Sequence, residues 1–207
     1  GAEELRRTIA AYLHQFRGMT VDPEQIIVAA GTECLYNIII QLLGREKCYA
    51  VEDPGYSKIS QIYAQNGVRL VRVGLDEAGL SVRALRREPA DIVHLSPSHH
   101  YPTGIVMPIA RRRELLRWAE ESAERCILED DYDSEFRFVG RPIPTLFSTD
   151  ESQRVIYLNT FSKTIAPSIR ISYMLLPPRL LERYREKLGF YACTVSSFEQ
   201  YTLAEFI

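Results

Sequence analysis

The sequence predicts an α/β fold: a three-layer sandwich with a mostly parallel central sheet and helices on both faces. Short apolar runs alternate with longer amphipathic stretches along most of the chain. Strands that are apolar on both faces belong to buried, helix-covered parallel sheets rather than to half-exposed antiparallel ones. The 207 residues are 46% hydrophobic, enough for one sizeable core and one large domain over residues 1–207.

The elements follow in order. Leu5, Ile9, Leu13 and Phe16 recur at helical spacing from Glu3, and Gly18 stops that helix. Ile26–Ala30 reads as a strand, Gly31-Thr32 as a turn, and the stretch to Gly44 as a helix. Cys48–Glu52 is a strand, Asp53-Pro54-Gly55 a turn, Tyr56–Asn66 a helix closed by Gly67, and Val68–Val73 a strand. Asp91–Leu95 is another strand, followed by a Pro-containing loop and a long helix over Pro108–Arg125. Cys126–Asp130, Val155–Asn159 and Ile171–Leu176 complete the strands, and helix resumes at Pro178.

Charge and cysteine usage exclude several functions. With 25 basic and 27 acidic side chains, the net charge of -2 supplies no footprint for nucleic acid on this segment. No apolar stretch is long enough for a bilayer, and the opening residues lack the core of a signal peptide. Cys34, Cys48 and Cys126 lie in apolar runs and Cys193 is remote from them, so buried free thiols and a cytoplasmic setting are expected. His99 and His100 are neighbours in an extended segment and point to opposite sides, which disfavours a shared metal.

Ligands of open parallel sheets sit beyond the carboxyl ends of the strands. Gly31-Thr32-Glu33 opens a helix there, so it is either an ordinary turn or an anion seat. Asp130-Asp131-Tyr132-Asp133 ends an apolar strand, and a carboxylate there needs a protonated ring nitrogen, an arginine or a cation, unless the turn is solvated. In Thr160-Phe161-Ser162-Lys163 the lysine is an amine nucleophile or a surface charge. Arg170 suits a phosphate or an ordinary ion pair.

The series G-T-E, E-D-P-G-Y, S-P-S-H-H-Y-P-T-G, E-D-D-Y-D-S-E-F and T-F-S-K-T-x-x-P-x-x-R resembles the large domain of fold-type I pyridoxal-phosphate enzymes, the aspartate-aminotransferase-like family. E-D-D-Y-D-S-E-F-R and T-F-S-K-T are more narrowly similar to the aminotransferase-like domain of MocR-type regulators in the GntR family. The resemblance runs from the first helix past Arg170. It implies pyridoxal 5'-phosphate as cofactor and Lys163 as the catalytic lysine forming a Schiff base with its aldehyde. It implies Asp130 on the ring nitrogen, with Asp131 next in line, Tyr132 on the phenolic oxygen and Tyr56 stacked on the ring. Gly31, Thr32, Glu33, Thr160, Ser162 and Arg170 would cup the phosphate. Lys58 could meet an anionic group at the cofactor's edge or be a solvated helix lysine, and Ser98, His99 and His100 are expected to face the pocket.

Aminotransferases of this family usually carry Asn before the Pro-Thr-Gly of the second loop; here Tyr101 stands there, as in the regulator branch. The family's small C-terminal domain and the regulators' N-terminal winged helix are expected to lie outside this sequence. Three functions are therefore weighed. One is an effector-sensing domain binding an amino acid or amine, with DNA engaged through the winged helix. Another is a stand-alone ping-pong transaminase. The third, a nucleotide- or cation-binding domain built on the Asp130 cluster, ranks last because no phosphate-binding glycine motif is present. Leu188, Phe190, Tyr191, Val195, Phe198, Tyr201, Leu203 and Phe206 leave apolar surface that a symmetric dimer or the absent small domain would cover, unless the stretch folds back onto the sheet as core; a homodimer of the full protein is expected.

Overall fold

The computed structural model describes residues 1–132, 143–161 and 169–207. Its strands are β1 (Ile26–Ala29), β2 (Cys48–Asp53), β3 (Arg69–Asp76), β4 (Gly79–Leu80), β5 (Ile92–Leu95), β6 (Cys126–Asp130), β7 (Val155–Thr160) and β8 (Ser172–Leu175). Its α-helices are α1 (Glu3–Arg17), α2 (Thr32–Leu43), α3 (Ser57–Gln65), α4 (Val82–Leu85), α5 (Ile109–Glu120), α6 (Leu146–Thr149), α7 (Pro178–Leu188) and α8 (Ser197–Phe206). The strands form one sheet in the order β1-β8-β7-β6-β5-β2-β3-β4. The central strands β7, β6, β5, β2 and β3 pair in parallel, while β8 runs antiparallel to both neighbours and β4 closes a hairpin on β3.

Side-chain alternation divides the core into the two outer layers. Val51, Ile92, Leu128, Ile156 and Met174 face α2, α3 and α7. Ala50, Val93, Ile127 and Val155 face α4, α5 and α6, and Tyr157, Tyr173 and Leu175 continue that face beneath α1 and α8. Helix α1 buries Leu5, Ile9 and Leu13 and ends where Gly18, at φ 64, adopts the left-handed conformation. Its Arg17 guanidinium reaches Asp131 at 2.7 Å, and Tyr157 Oη donates to the same carboxylate at 2.7 Å. That buried trio ties α1 to the ends of β6 and β7.

Strand β4 and helices α4 and α6 are too short to announce themselves by periodicity, and β3 runs on past Val73 to Asp76. The helix expected over Pro108–Arg125 ends at Glu120. Cys48 and Cys126 are buried free thiols, whereas Cys34 and Cys193 are half-buried, because residue 34 lies in the first turn of α2 rather than deep in its apolar stripe. Among the described residues no helix is long and apolar enough to cross a membrane. In the C-terminal stretch Leu188, Val195 and Leu203 are core, while Phe190, Tyr191, Phe198, Tyr201 and Phe206 are exposed.

Candidate functional site

The carboxyl ends of β1, β2, β5, β6 and β7 open onto one cavity of about 360 Å³. The residues that the resemblance assigns to the cofactor and that lie within the described part of the chain all line it: Gly31, Thr32, Glu33, Tyr56, Asp130, Tyr132, Thr160 and Arg170. Ser162 and Lys163 lie outside the described residues.

One corner is built by the turn from β1 into α2. Gly31 sits at φ 87 and caps α2 without a side-chain hydrogen bond, so the cap residue offers no acceptor of its own to the first-turn N–H groups. A Cβ on Gly31 would lie 2.7 Å from Arg170 Nη2 and 2.9 Å from Glu33 Oε2; only glycine allows the guanidinium this close to the helix start. Glu33 Oε2 accepts from Arg170 Nη2 at 3.0 Å, and its other oxygen pairs with Lys58. Partial burial pulls the Glu33 carboxyl up, but the Lys58 hydrogen bond, its own backbone N–H and the charges of Lys58 and Arg170 outweigh that and hold it below the usual carboxylate range.

The opposite wall is set by β6. Asp130 shares the face of Leu128, so its carboxyl, 6% exposed, turns toward α2. Tyr36 Oη donates to Asp130 Oδ2 at 2.8 Å, and His94 Nε2 lies 3.4 Å from the same oxygen. Tyr63 Oη contacts His94 Nδ1 at 2.7 Å, which extends the network to α3. Burial, then the charge of Asp130, drives the Tyr36 hydroxyl well above its usual value, so it stays a proton donor. Asp131 faces the other way, onto Arg17 and Tyr157, with no exposed side-chain surface. It is therefore an anchor of the scaffold and no alternative to Asp130.

Glu52, at the end of β2, lines the cavity between these corners. Its Oε2 accepts from Ser96 N–H at 3.0 Å and lies 3.5 Å from His100 Nε2. Burial pushes this carboxyl up to about 8 against the Ser96 hydrogen bond, and the Asp130 charge adds to the rise. At the mouth, the half-exposed rings of Tyr56 and Tyr101 meet edge to face, 6.0 Å apart at 84°. Tyr101, at the family's Asn position, thus belongs to the rim.

Ser98, His99 and His100 depart from expectation and do not line the cavity. Ser98 and His100 are buried beneath the loop, with His100 Nδ1 on Thr103 Oγ1 at 2.8 Å, while His99 is exposed beside the Tyr132 ring. The two histidines do point to opposite sides. Sequence reasoning missed Tyr36, Glu52, His94 and Ser96. Tyr36 follows Thr32 at i+4 and so shares its helix face; His94 is the one polar side chain inside Ile92–Leu95, a position that requires a buried partner.

A buried carboxylate on one wall suits a protonated ring nitrogen, and an uncapped helix start beside an arginine suits a phosphate. The donor set therefore fits pyridoxal phosphate. Comparison with known proteins agrees. Residues 1–207 match the family model of aminotransferase class I and II. The chain is 43% identical over its whole length to the uncharacterized HTH-type transcriptional regulator YdeL of Bacillus subtilis, covering 44% of that protein. It is 36% identical, again over its whole length, to the probable rhizopine catabolism regulatory protein MocR of Rhizobium meliloti, covering 42% of it. It thus spans less than half of these relatives. The crystal structure of LysN, the alpha-aminoadipate aminotransferase of Thermus thermophilus complexed with N-(5'-phosphopyridoxyl)-L-leucine, superposes with a TM-score of 0.85 at 26% identity, covering 100% of this chain and 53% of that one. With a full-length family match and the expected strand-end residues gathered in one cavity, the chain belongs to the aminotransferase class I and II family.

Proposed function

We propose that this chain is the pyridoxal-phosphate-binding, effector-sensing domain of a MocR-type regulator. The observation that carries the cofactor reading is the placement of Asp130 and of the Gly31–Arg170 corner on one cavity, with charge and donors suited to the two ends of the cofactor. When bound, pyridoxal phosphate supplies an aldehyde reactive toward amines and a ring that accepts electrons. Asp130, held by Tyr36 and His94, would keep a proton on the ring nitrogen of the bound cofactor. Arg170 and the first turn of α2 bind the phosphate. Tyr56 would lie against the ring and, with Tyr101, limit water at the rim; Tyr132 would serve the phenolic oxygen, Thr160 and Ser162 the phosphate, and Lys163 would hold the aldehyde. The ligand is an amino acid or amine, and the full protein works as a cytoplasmic homodimer that engages DNA through a separate winged helix. The regulator relatives favour this reading over a stand-alone transaminase.

Borohydride reduction of the full reading frame incubated with pyridoxal phosphate, followed by peptide mapping, tests the cofactor assignment. The adduct is expected on Lys163; an adduct on another lysine, or none, refutes it. A gel-shift assay with the promoter-proximal DNA, with and without amino acids, tests the sensor: DNA binding indifferent to every amine, combined with steady amino-group transfer, selects the transaminase instead.

A further inference from the structure

The corner assigned to phosphate already contains an anion that belongs to the protein. Glu33 Oε2 sits on the Arg170 guanidinium at 3.0 Å, the other oxygen sits on the Lys58 ammonium, and the carboxylate also takes the Glu33 backbone N–H in the first turn of α2. One carboxylate thus occupies an arginine, a lysine and a helix-terminal N–H, the three kinds of donor an incoming phosphate monoester would use. It lies close over the glycine that opens the helix, since a Cβ there would meet Glu33 Oε2 at 2.9 Å. We infer that Glu33 is a displaceable internal counter-ion that competes with the ligand's phosphate for Arg170 and Lys58.

Charge and exposure support the exchange. Arg170 and Lys58 contribute +2 and Glu33 contributes -1, leaving +1 to meet a phosphate carrying about -2. Side-chain exposures of 58% for Arg170, 47% for Lys58 and 31% for Glu33 make these pairs solvent-screened and readily opened. The carboxylate keeps both cations in place while no phosphate is present, and repels the phosphate once it arrives. It thereby sets a threshold concentration for loading. Displacement also releases Lys58 at the rim, beside Tyr56, for a second anionic group.

The inference rests on the proposed phosphate seat, and the test separates the two. Affinities for pyridoxal phosphate and for pyridoxal, which lacks the phosphate, are measured by calorimetry and absorbance titration on the parent and on Glu33→Gln. Removing one unit of like charge a few ångströms from the phosphate is expected to tighten pyridoxal phosphate about tenfold, with pyridoxal changing less than about twofold. Glu33→Ala is expected to move the same way, and far-UV circular dichroism checks that both variants fold. Unchanged or weaker pyridoxal phosphate binding in the variants overturns the inference and makes Glu33 a positioning residue for Arg170. If the parent binds pyridoxal phosphate no better than pyridoxal, the phosphate seat itself is wrong and the counter-ion falls with it.

Discussion

Replacing Glu52 with glutamine should remove a pH dependence from the stability of the fold. The Glu52 carboxyl is buried against Ser96 and His100, with its folded value pushed up to about 8 by burial, against an ordinary 4.5. Between those values the folded chain holds a proton that the unfolded chain has released. Raising the pH through that window therefore favours unfolding, by about 1.4 kcal/mol per pH unit at most, and the loss levels off above about 8. From pH 6.5 to pH 8 the expected loss from this one group is roughly 2 kcal/mol. Glutamine with its amide oxygen in the place of Oε2 keeps the acceptor for the Ser96 N–H and does not titrate. Glu129, buried and raised to about 7, has a similar slope, but it is present in both proteins and cancels in the comparison. The sole tryptophan, Trp118, is fully buried and reports unfolding by fluorescence. Urea titrations of parent and Glu52→Gln at pH 6.5, 7.25 and 8 should show midpoints that fall in the parent relative to the variant. Parallel pH profiles would mean that the carboxyl is ionised at neutral pH and that its environment is wetter than its burial implies.

Two further outcomes follow from the carboxylates of β6. Asp130→Asn should leave the urea midpoint within about 1 kcal/mol of the parent, because Tyr36 can still donate to the amide oxygen, while the absorbance spectrum of bound pyridoxal phosphate and its reaction rate with amino acids both change; an unaltered spectrum and rate would remove Asp130 from the ring nitrogen. Arg17→Met should cost about 3–5 kcal/mol in urea unfolding, since it strands the buried Asp131 charge, and pairing it with Asp131→Asn should recover much of that loss; a double variant no more stable than Arg17→Met would show that the two residues do not act as a pair.

The strand ends were legible because burial on both faces writes an unbroken apolar run, and such runs end where the chain meets the cavity. Gly31, Tyr56, Asp130 and Thr160 were all found by reading one or a few residues past a run. What escaped was anything inside the runs or beneath the loops. His94 lies inside the apolar strand Asp91–Leu95, where nothing local marks its partners, yet it bridges Tyr63 and Asp130. Glu52 reads only as the last residue of the strand Cys48–Glu52, yet its carboxyl is held by the Ser96 N–H beside His100. The segment Ser98–His100 was expected to face the pocket because it follows β5 directly, but the chain turns there and folds Ser98 and His100 inward. Local sequence records which residues are apolar; it does not record which loop covers a polar one.

The acidic run at the end of β6 shows how much of a site a strand's two-residue period can decide. Ile127, Glu129 and Asp131 share one face, Leu128 and Asp130 the other. The first face packs on α1 and α5, and each of its acids meets an arginine there: Glu129 meets Arg112 at 3.4 Å and Asp131 meets Arg17 at 2.7 Å. Those charges are matched inside the scaffold. The second face opens on the cavity, where Asp130 is met by a tyrosine hydroxyl and a histidine rather than by an arginine or lysine of the described residues. A carboxylate with no arginine or lysine against it among the described residues keeps negative potential facing the cavity, which is the property a proton on a ligand's ring nitrogen would require. Shifting β6 by one residue would exchange the faces, putting Asp131 in the cavity and Asp130 against Arg17. The pairing Asp130↔Leu158 with β7, and the Asp131 N–H donated to Leu158 O at 2.9 Å, hold the register that prevents this exchange. The placement of the Asp130 carboxylate in the cavity is thus fixed as much by the packing of its two neighbours as by its own contacts.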